Sequence, residues 1–183
     1  IAAAIVEVYA FQRSRRLPLF ALLAAASLAT FAPIGHAAAA DGGEKTIRIL
    51  LQATHLLGAG FWVGALPLLV RQLAGEADDA ARVVATFAKY ASIAVFALLA
   101  AAIANLYFLT GGEAVSFKTE YGRTLAIKAG LAIAAILLAA FNRFWMTPQR
   151  RFGVIAKIAL IEIVLLLIVV AEGVRLAASA PWR

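Results

Sequence analysis

The stretch from Gly153 to Ala178 reads GVIAKIALIEIVLLLIVVAEGVRLAA and contains four charged side chains. A helix rises 1.5 Å per residue, so this stretch would extend about 39 Å and cross the roughly 30 Å hydrocarbon layer of a bilayer. The whole chain has the same character, with 64% hydrophobic and 15% charged residues, too few polar side chains to cover a water-soluble globule. We therefore expect a helical membrane protein.

Four more apolar runs precede this one, and short segments with charged or helix-breaking residues separate them. We expect an all-α, polytopic transmembrane helix bundle with five complete spans, in which consecutive helices are antiparallel neighbours. Residues 1–12 would be the tail of a truncated span, and residues 13–183 would form one transmembrane helical domain. The four earlier spans are Leu17 to Ala40, Ile47 to Val70, Val84 to Thr110 and Gly122 to Trp145.

The basic residues indicate how the bundle is oriented. Of 17 Lys and Arg residues, ten lie on one side of the predicted spans and seven on the other, which favours the first side as cytoplasmic. The loops 41–46 and 111–121 and the C-terminus would then be periplasmic. Although the net charge is +7, these residues flank apolar runs, so they indicate a lipid bilayer as partner and no nucleic acid.

Several classes of chemistry are missing from the sequence. The chain has no cysteine, which excludes disulfides and thiolate metal sites. It also lacks a phosphate-binding glycine loop, a His-Glu-x-x-His zinc helix and a serine nucleophile elbow. We therefore expect a protein that is not an enzyme, with a haem-dependent redox role as the open exception.

Polar side chains inside the spans are costly in hydrocarbon, so each should find a partner or serve a function. His36 and His55 are the only histidines, and they flank the same outward-facing hairpin. Their side chains fit a metal-ligand role and a hydrogen-bonded packing role about equally well. The intramembrane polar residues are His36, His55, Asn105, Lys128, Asn142, Glu162 and Glu172.

Residue spacing places some of these side chains on common helix faces. His55 and Trp62 are seven residues apart and share one face of their helix. Lys128 and Asn142, fourteen residues apart, share a face of theirs, although Lys128 fits snorkelling to the outer interface equally well. Glu162 lies near the membrane middle, where it would pair with a residue such as Arg143 or carry a proton.

Other positions fit ordinary membrane packing. Glu172 can pair with Arg175 at the interface, and Tyr121 fits an aromatic belt at the membrane surface. Gly60 and Gly64 form a GxxxG pair, which we expect to pack helices within the chain more readily than to make a dimer.

The segment His55-Leu56-Leu57-Gly58-Ala59-Gly60-Phe61-Trp62-Val63-Gly64-Ala65-Leu66 resembles the bacterial copper resistance protein D family. Further segments resemble the family in the same order, from about Gly35 to Pro181. They are Gly35-His36-Ala37, Phe87 to Ala91, Tyr121 to Leu125 with Lys128, Asn142-Arg143 with Pro148, and Glu162.

This resemblance implies copper transport or handling across the inner membrane, with a copper ion bound by His36 and His55 near the periplasmic face. It also implies a periplasmic copper-binding protein as a partner. Imidazole binds copper in either oxidation state, whereas the Cys and Met ligands that Cu(I) favours are nearly absent. Glu162 would act as an inner relay. Lys128, Asn142, Arg143, Trp62 and Glu172 are the candidate supporting polar residues.

Two alternatives remain open from the sequence. Histidines on neighbouring helices also hold haem b in membrane bundles, with His36 and His55 as the axial ligands. A structural or assembly subunit would use the same polar residues only to lock its helices together.

Overall fold

The computed structural model describes residues 17–34, 42–73 and 77–178, and within these ranges the chain forms helices and no strand. The five α-helices are α1 (Leu17–Ala29), α2 (Gly42–Gln72), α3 (Ala77–Thr110), α4 (Glu120–Phe141) and α5 (Phe152–Ala178). A π-helical turn, Asn142–Met146, continues α4 directly.

Four of the predicted spans are confirmed as helices long and apolar enough to cross a membrane. Their outer surfaces carry large apolar side chains, such as Phe96 and Ile103, which are 75% and 69% exposed. Such a surface is stable in lipid and would be unstable in water. The four candidate spans are Gly42–Gln72, Asp79–Thr110, Glu120–Met146 and Phe152–Ala177.

The predicted span from Leu17 to Ala40 differs from the structure. Helix α1 has 13 residues, or about 20 Å, and turns follow it at residues 30–34. Pro33 accounts for this end, since it has no backbone N–H and disfavours a helical conformation in the residue before it. The predicted partial span at residues 1–12 lies outside the described residues.

The helices pack as two hairpins. Helix α2 packs along α3, α4 packs along α5, and contacts between α2 and α5 join the two hairpins, while α1 packs against α2. In the described part of the chain, α3 and α4 make almost no close backbone contact. These two consecutive helices therefore face one another across a loosely filled seam, which the Arg143 side chain bridges.

Local geometry fixes both ends of α4. At its start, the Thr119 hydroxyl accepts a hydrogen bond from the Gly122 backbone N–H at 3.0 Å, as an N-cap does. Gly122 lies directly against the backbone of Ser116, so a side chain there would collide with it. At its end, the Thr147 backbone N–H donates to the Asn142 carbonyl, five residues earlier, which is the π-helical hydrogen bond.

Candidate functional site

A cavity of about 480 Å³ lies between the two hairpins. Its wall is mostly apolar, but α2 contributes polar side chains at positions 48, 52 and 55, which share one helix face. Helix α3 adds one polar residue and α4 adds two. The polar residues that line this first cavity are Arg48, Gln52, His55, Asn105, Tyr121 and Lys128.

A backbone carbonyl orients the imidazole of His55. The Nδ1 atom lies 3.4 Å from the carbonyl oxygen of Leu98 on α3, so Nδ1 can donate a hydrogen bond to it. With its proton on Nδ1, the ring keeps the lone pair on Nε2 for a ligand. Gly58 permits this close approach of α2 to α3, because a Cβ at that position would lie 2.9 Å from the Leu98 Cβ.

Within the described ranges, the wall of the first cavity has two basic side chains and no acidic one. Arg48 forms an ion pair with Glu44 and donates to the Phe108 carbonyl at 2.8 Å, so a neighbouring carboxylate balances its charge. Lys128 lies against Gly173 of α5, where a Cβ would be 3.2 Å from the ammonium nitrogen. Lys128 thus lines the cavity near the end of α5, and the choice between a functional role and snorkelling stays a prediction.

A second cavity, of about 410 Å³, continues along the same seam. Three side chains line both cavities and form the layer between them: Trp62 of α2, Leu99 of α3 and Ile136 of α4. His55 and Trp62 both line the first cavity, as their spacing predicted. The bundle therefore contains two neighbouring cavities along one seam, and the indole ring of Trp62 lies between them.

Glu162 is the buried carboxyl group of the second cavity, with 2% of its surface exposed. The Asn142 side-chain amide donates to its Oε1 atom at 3.2 Å, and Trp62 makes a polar contact with the same carboxyl group. Asn142 is also buried, and among the described residues nothing donates a hydrogen bond to its Oδ1 atom. This leaves an unpartnered oxygen beside a carboxyl group.

Arg143 lines the second cavity, but its hydrogen bonds go to residues other than Glu162. Its guanidinium donates to the Ala88 carbonyl and to the Ser92 hydroxyl, both at 2.6 Å, and so bridges the seam between α4 and α3. The expected pairing of Glu162 with Arg143 is therefore replaced by pairing with Asn142. Adjacent residues of a helix point in different directions, so Asn142 faces Glu162 while Arg143 faces α3.

The remaining predicted residues have different outcomes. His36 lies outside the described residues, so its distance from His55 stays a prediction. Glu172 accepts two hydrogen bonds from Arg175, at 3.1 and 3.2 Å, and lines neither cavity. Tyr121 was expected at the membrane surface but is buried, because the capped start of α4 turns it towards the first cavity.

The glycine pair also differs from expectation in part. Gly60 packs against Leu28 of α1, whereas a Cβ at Gly64 would meet nothing within 4 Å. The tight helix contact is at Gly58, which the GxxxG spacing does not include. Sequence reasoning also missed Arg48 and Gln52, since charged and amide residues near a span end look like ordinary interfacial residues.

No group of three or more His, Asp or Glu side chains converges on a metal-sized site within the described ranges. His55 is thus the imidazole that the structure places in a cavity, and its other predicted ligand, His36, is not described. The site is defined by one oriented histidine, a cationic cavity and a separate buried carboxyl group.

These features define a class: a multi-pass helical membrane protein with a polar, two-chambered seam between its hairpins. Residues 81–179, more than half of the chain, match the family model described as copper resistance protein D. The chain belongs to the copper resistance protein D family.

Three curated proteins are similar to it. The chain is 33% identical over 125 residues to the copper transport protein CutJ of Bacillus subtilis, covering 66% of this chain and 23% of that protein. It is 28% identical over 156 residues to the inner membrane protein YebZ of Escherichia coli, covering 82% and 53%. It is 27% identical over 140 residues to copper resistance protein D of Pseudomonas syringae, covering 72% and 45%.

The chain thus spans between about a quarter and about half of the length of these relatives. No solved structure matches it significantly.

Proposed function

We propose that this protein moves or handles copper across the bacterial inner membrane, with His55 as a ligand in the first cavity and His36 as its partner. The observation that carries the proposal is the oriented imidazole of His55, whose Nε2 lone pair is free for a metal while Nδ1 faces the Leu98 carbonyl. Family membership and the names of two relatives, which refer to copper, support it.

A transport or handling role fits better than an enzymatic one. The two cavities lie in series along the membrane seam, with Trp62 between them and Glu162 beyond it. We place the first cavity on the periplasmic side, where loops 41–46 and 111–121 would face a periplasmic copper-binding protein. Copper would enter at the histidines, and Glu162 would act as the inner relay by carrying a proton.

Charge sets a condition on copper binding at this site. Lys128 lies in the first cavity and repels a free cation, and none of the described residues that line this cavity is acidic. Cu(I) carries a smaller charge than Cu(II), so it experiences less repulsion from the ammonium group. We therefore expect Lys128→Met, which removes the charge and adds a soft thioether ligand, to raise Cu(I) affinity.

The test of this proposal is the copper content of the purified full-length protein and its copper uptake in cells. His55→Phe and His36→Phe should each lower both quantities, while His55→Met should retain Cu(I) binding through its thioether. Glu172→Gln is the matched control, because its side chain lines neither cavity. Unchanged copper binding in the double Phe variant would refute the role of the histidines.

The size of the first cavity favours one second candidate, haem b. A volume of about 480 Å³ is typical of organic ligand pockets, and apolar walls with two cationic residues, Arg48 and Lys128, would suit a macrocycle with propionate groups. His55 and His36 would be the axial ligands, and the haem would supply one-electron redox chemistry. An intense Soret absorption in the purified protein would support haem, whereas bound copper without it supports the first proposal.

A further inference from the structure

The second cavity has polar chemistry that copper binding at His55 does not use. Glu162 lies there with its carboxyl group almost fully buried, and the described residues give it no cationic partner. A buried, unpaired carboxylate is strongly disfavoured in hydrocarbon, so the group needs either a proton or a bound cation.

The donor atoms of this cavity do not suit a metal cation. Copper(I) prefers sulfur and imidazole, whereas hard cations such as Ca²⁺ and Mg²⁺ take six or more oxygen ligands. The side chains of Glu162, Asn142, Ser92 and Thr147 supply at most five oxygen atoms on the described wall of this cavity, and the Ser92 hydroxyl already accepts a hydrogen bond from Arg143. The cationic Arg143 also lines the cavity and would repel a metal ion.

Asn142 supplies what a protonated carboxyl group requires. Its amide nitrogen donates to the Glu162 Oε1 atom, while its buried Oδ1 atom has no hydrogen-bond donor among the described residues. Rotation of the amide by half a turn exchanges these two atoms. The oxygen would then accept the hydrogen bond that a protonated Glu162 donates, so one amide can satisfy both charge states of the carboxyl group.

We infer that Glu162 and Asn142 form a proton-binding site in the second cavity, in which the Asn142 amide turns over as Glu162 gains or loses its proton. The π-helical turn that presents Asn142 fits such a role, since π-bulges occur frequently at functional sites. If the proposed copper function holds, a proton on Glu162 is the ion exchanged for copper, and this coupling rests on that function.

Other ionisable groups around Glu162 are few. Among the described residues, Arg143 is the only other ionisable side chain on the wall of this cavity. Beyond the wall, α2 carries His55 and α4 carries Lys128, both in the first cavity, while α3 carries Lys89 and α5 carries Lys157. A change in protonation inside the second cavity can therefore be assigned to Glu162.

The experiment is an acid-minus-base infrared difference spectrum of the purified full-length protein in lipid. We expect a protonated-carboxyl band that Glu162→Gln abolishes and that Glu172→Gln, ten residues along the same helix, preserves. Asn142→Leu should keep the band but shift it to the higher C=O stretching frequency of a carboxyl group whose O–H has no hydrogen-bond acceptor. That second variant also tests the site if Glu162→Gln fails to fold.

Two results would overturn the inference: wild type and Glu162→Gln giving the same carboxyl spectrum, or Asn142→Leu leaving the band unshifted. Replacement of Na⁺ by a bulky organic cation distinguishes a metal site, because a band that depends on Na⁺ also contradicts a proton site. Addition of copper separates this inference from the proposed function. If the band is present but copper does not alter it, the proton site stands and its coupling to copper is refuted, while the copper content of the same samples tests the proposed function separately.

Discussion

Replacement of Gly58 by alanine tests the helix contact that orients His55. An added Cβ would lie 2.9 Å from the Leu98 Cβ and 3.0 Å from the Ala94 carbonyl oxygen, both closer than ordinary contact. The Ala94 oxygen belongs to the backbone, so α3 has to move as a helix. Such overpacking costs typically about 1–3 kcal/mol.

The matched variant is Gly64→Ala, six residues further along the same helix, where the added Cβ meets nothing within 4 Å. Alanine is a better helix former than glycine by about 1 kcal/mol, and this gain applies to both variants. The difference between them therefore isolates the steric term. We expect Gly58→Ala to be about 1–3 kcal/mol less stable than Gly64→Ala.

Reversible unfolding in mixed micelles, followed by circular dichroism, measures this difference in the free energy of unfolding. Gly58→Ala should also weaken copper binding, because movement of α3 carries the Leu98 carbonyl away from the His55 Nδ1 atom, which it already contacts at 3.4 Å. Equal stability of the two variants would show that α2 and α3 are not in close contact at Gly58, and the reasoning would be wrong.

Three further substitutions test the seam. Trp62→Ala should join the two cavities and raise copper leakage in proteoliposomes; leakage at the wild-type rate would contradict the dividing role of the indole. Arg143→Gln should lose two charge-assisted hydrogen bonds and lower the free energy of unfolding by about 1–3 kcal/mol in the same unfolding assay. The control is Arg82→Gln, an exposed ion-pair residue, which should cost less than about 1 kcal/mol. Gly173→Ala should leave the protein as stable as the wild type or up to about 1 kcal/mol more stable, because alanine favours the helix and the atom that its Cβ meets is the flexible end of Lys128; a loss of stability would mean that Lys128 is rigidly held.

Much of the fold was predictable, because a continuous apolar run has few stable alternatives in lipid. The four helices from α2 to α5 follow directly from run length. The end of α1 was harder to predict, since the apolar run continues past Pro33 without a change in hydropathy. Helices α3 and α4 are consecutive but barely packed, and their hydropathy does not distinguish this pair from the helix pairs that do pack.

The candidate site was predictable where simple helical periodicity applies. Seven-residue spacing put His55 and Trp62 on one face, and both line the first cavity. The pairing of Glu162 was missed because Asn142 and Arg143 are adjacent in the sequence, and hydropathy does not show which of the two side chains faces the carboxyl group. Gly58 was missed because tight packing depends on the opposing helix, here at Leu98.

X-ray absorption of the copper-loaded full-length protein measures whether His55 binds copper in the first cavity, because imidazole ligands give a characteristic scattering pattern around the metal. We expect imidazole coordination in the wild type and its reduction or loss in His55→Phe. An unchanged copper environment in His55→Phe would contradict this expectation.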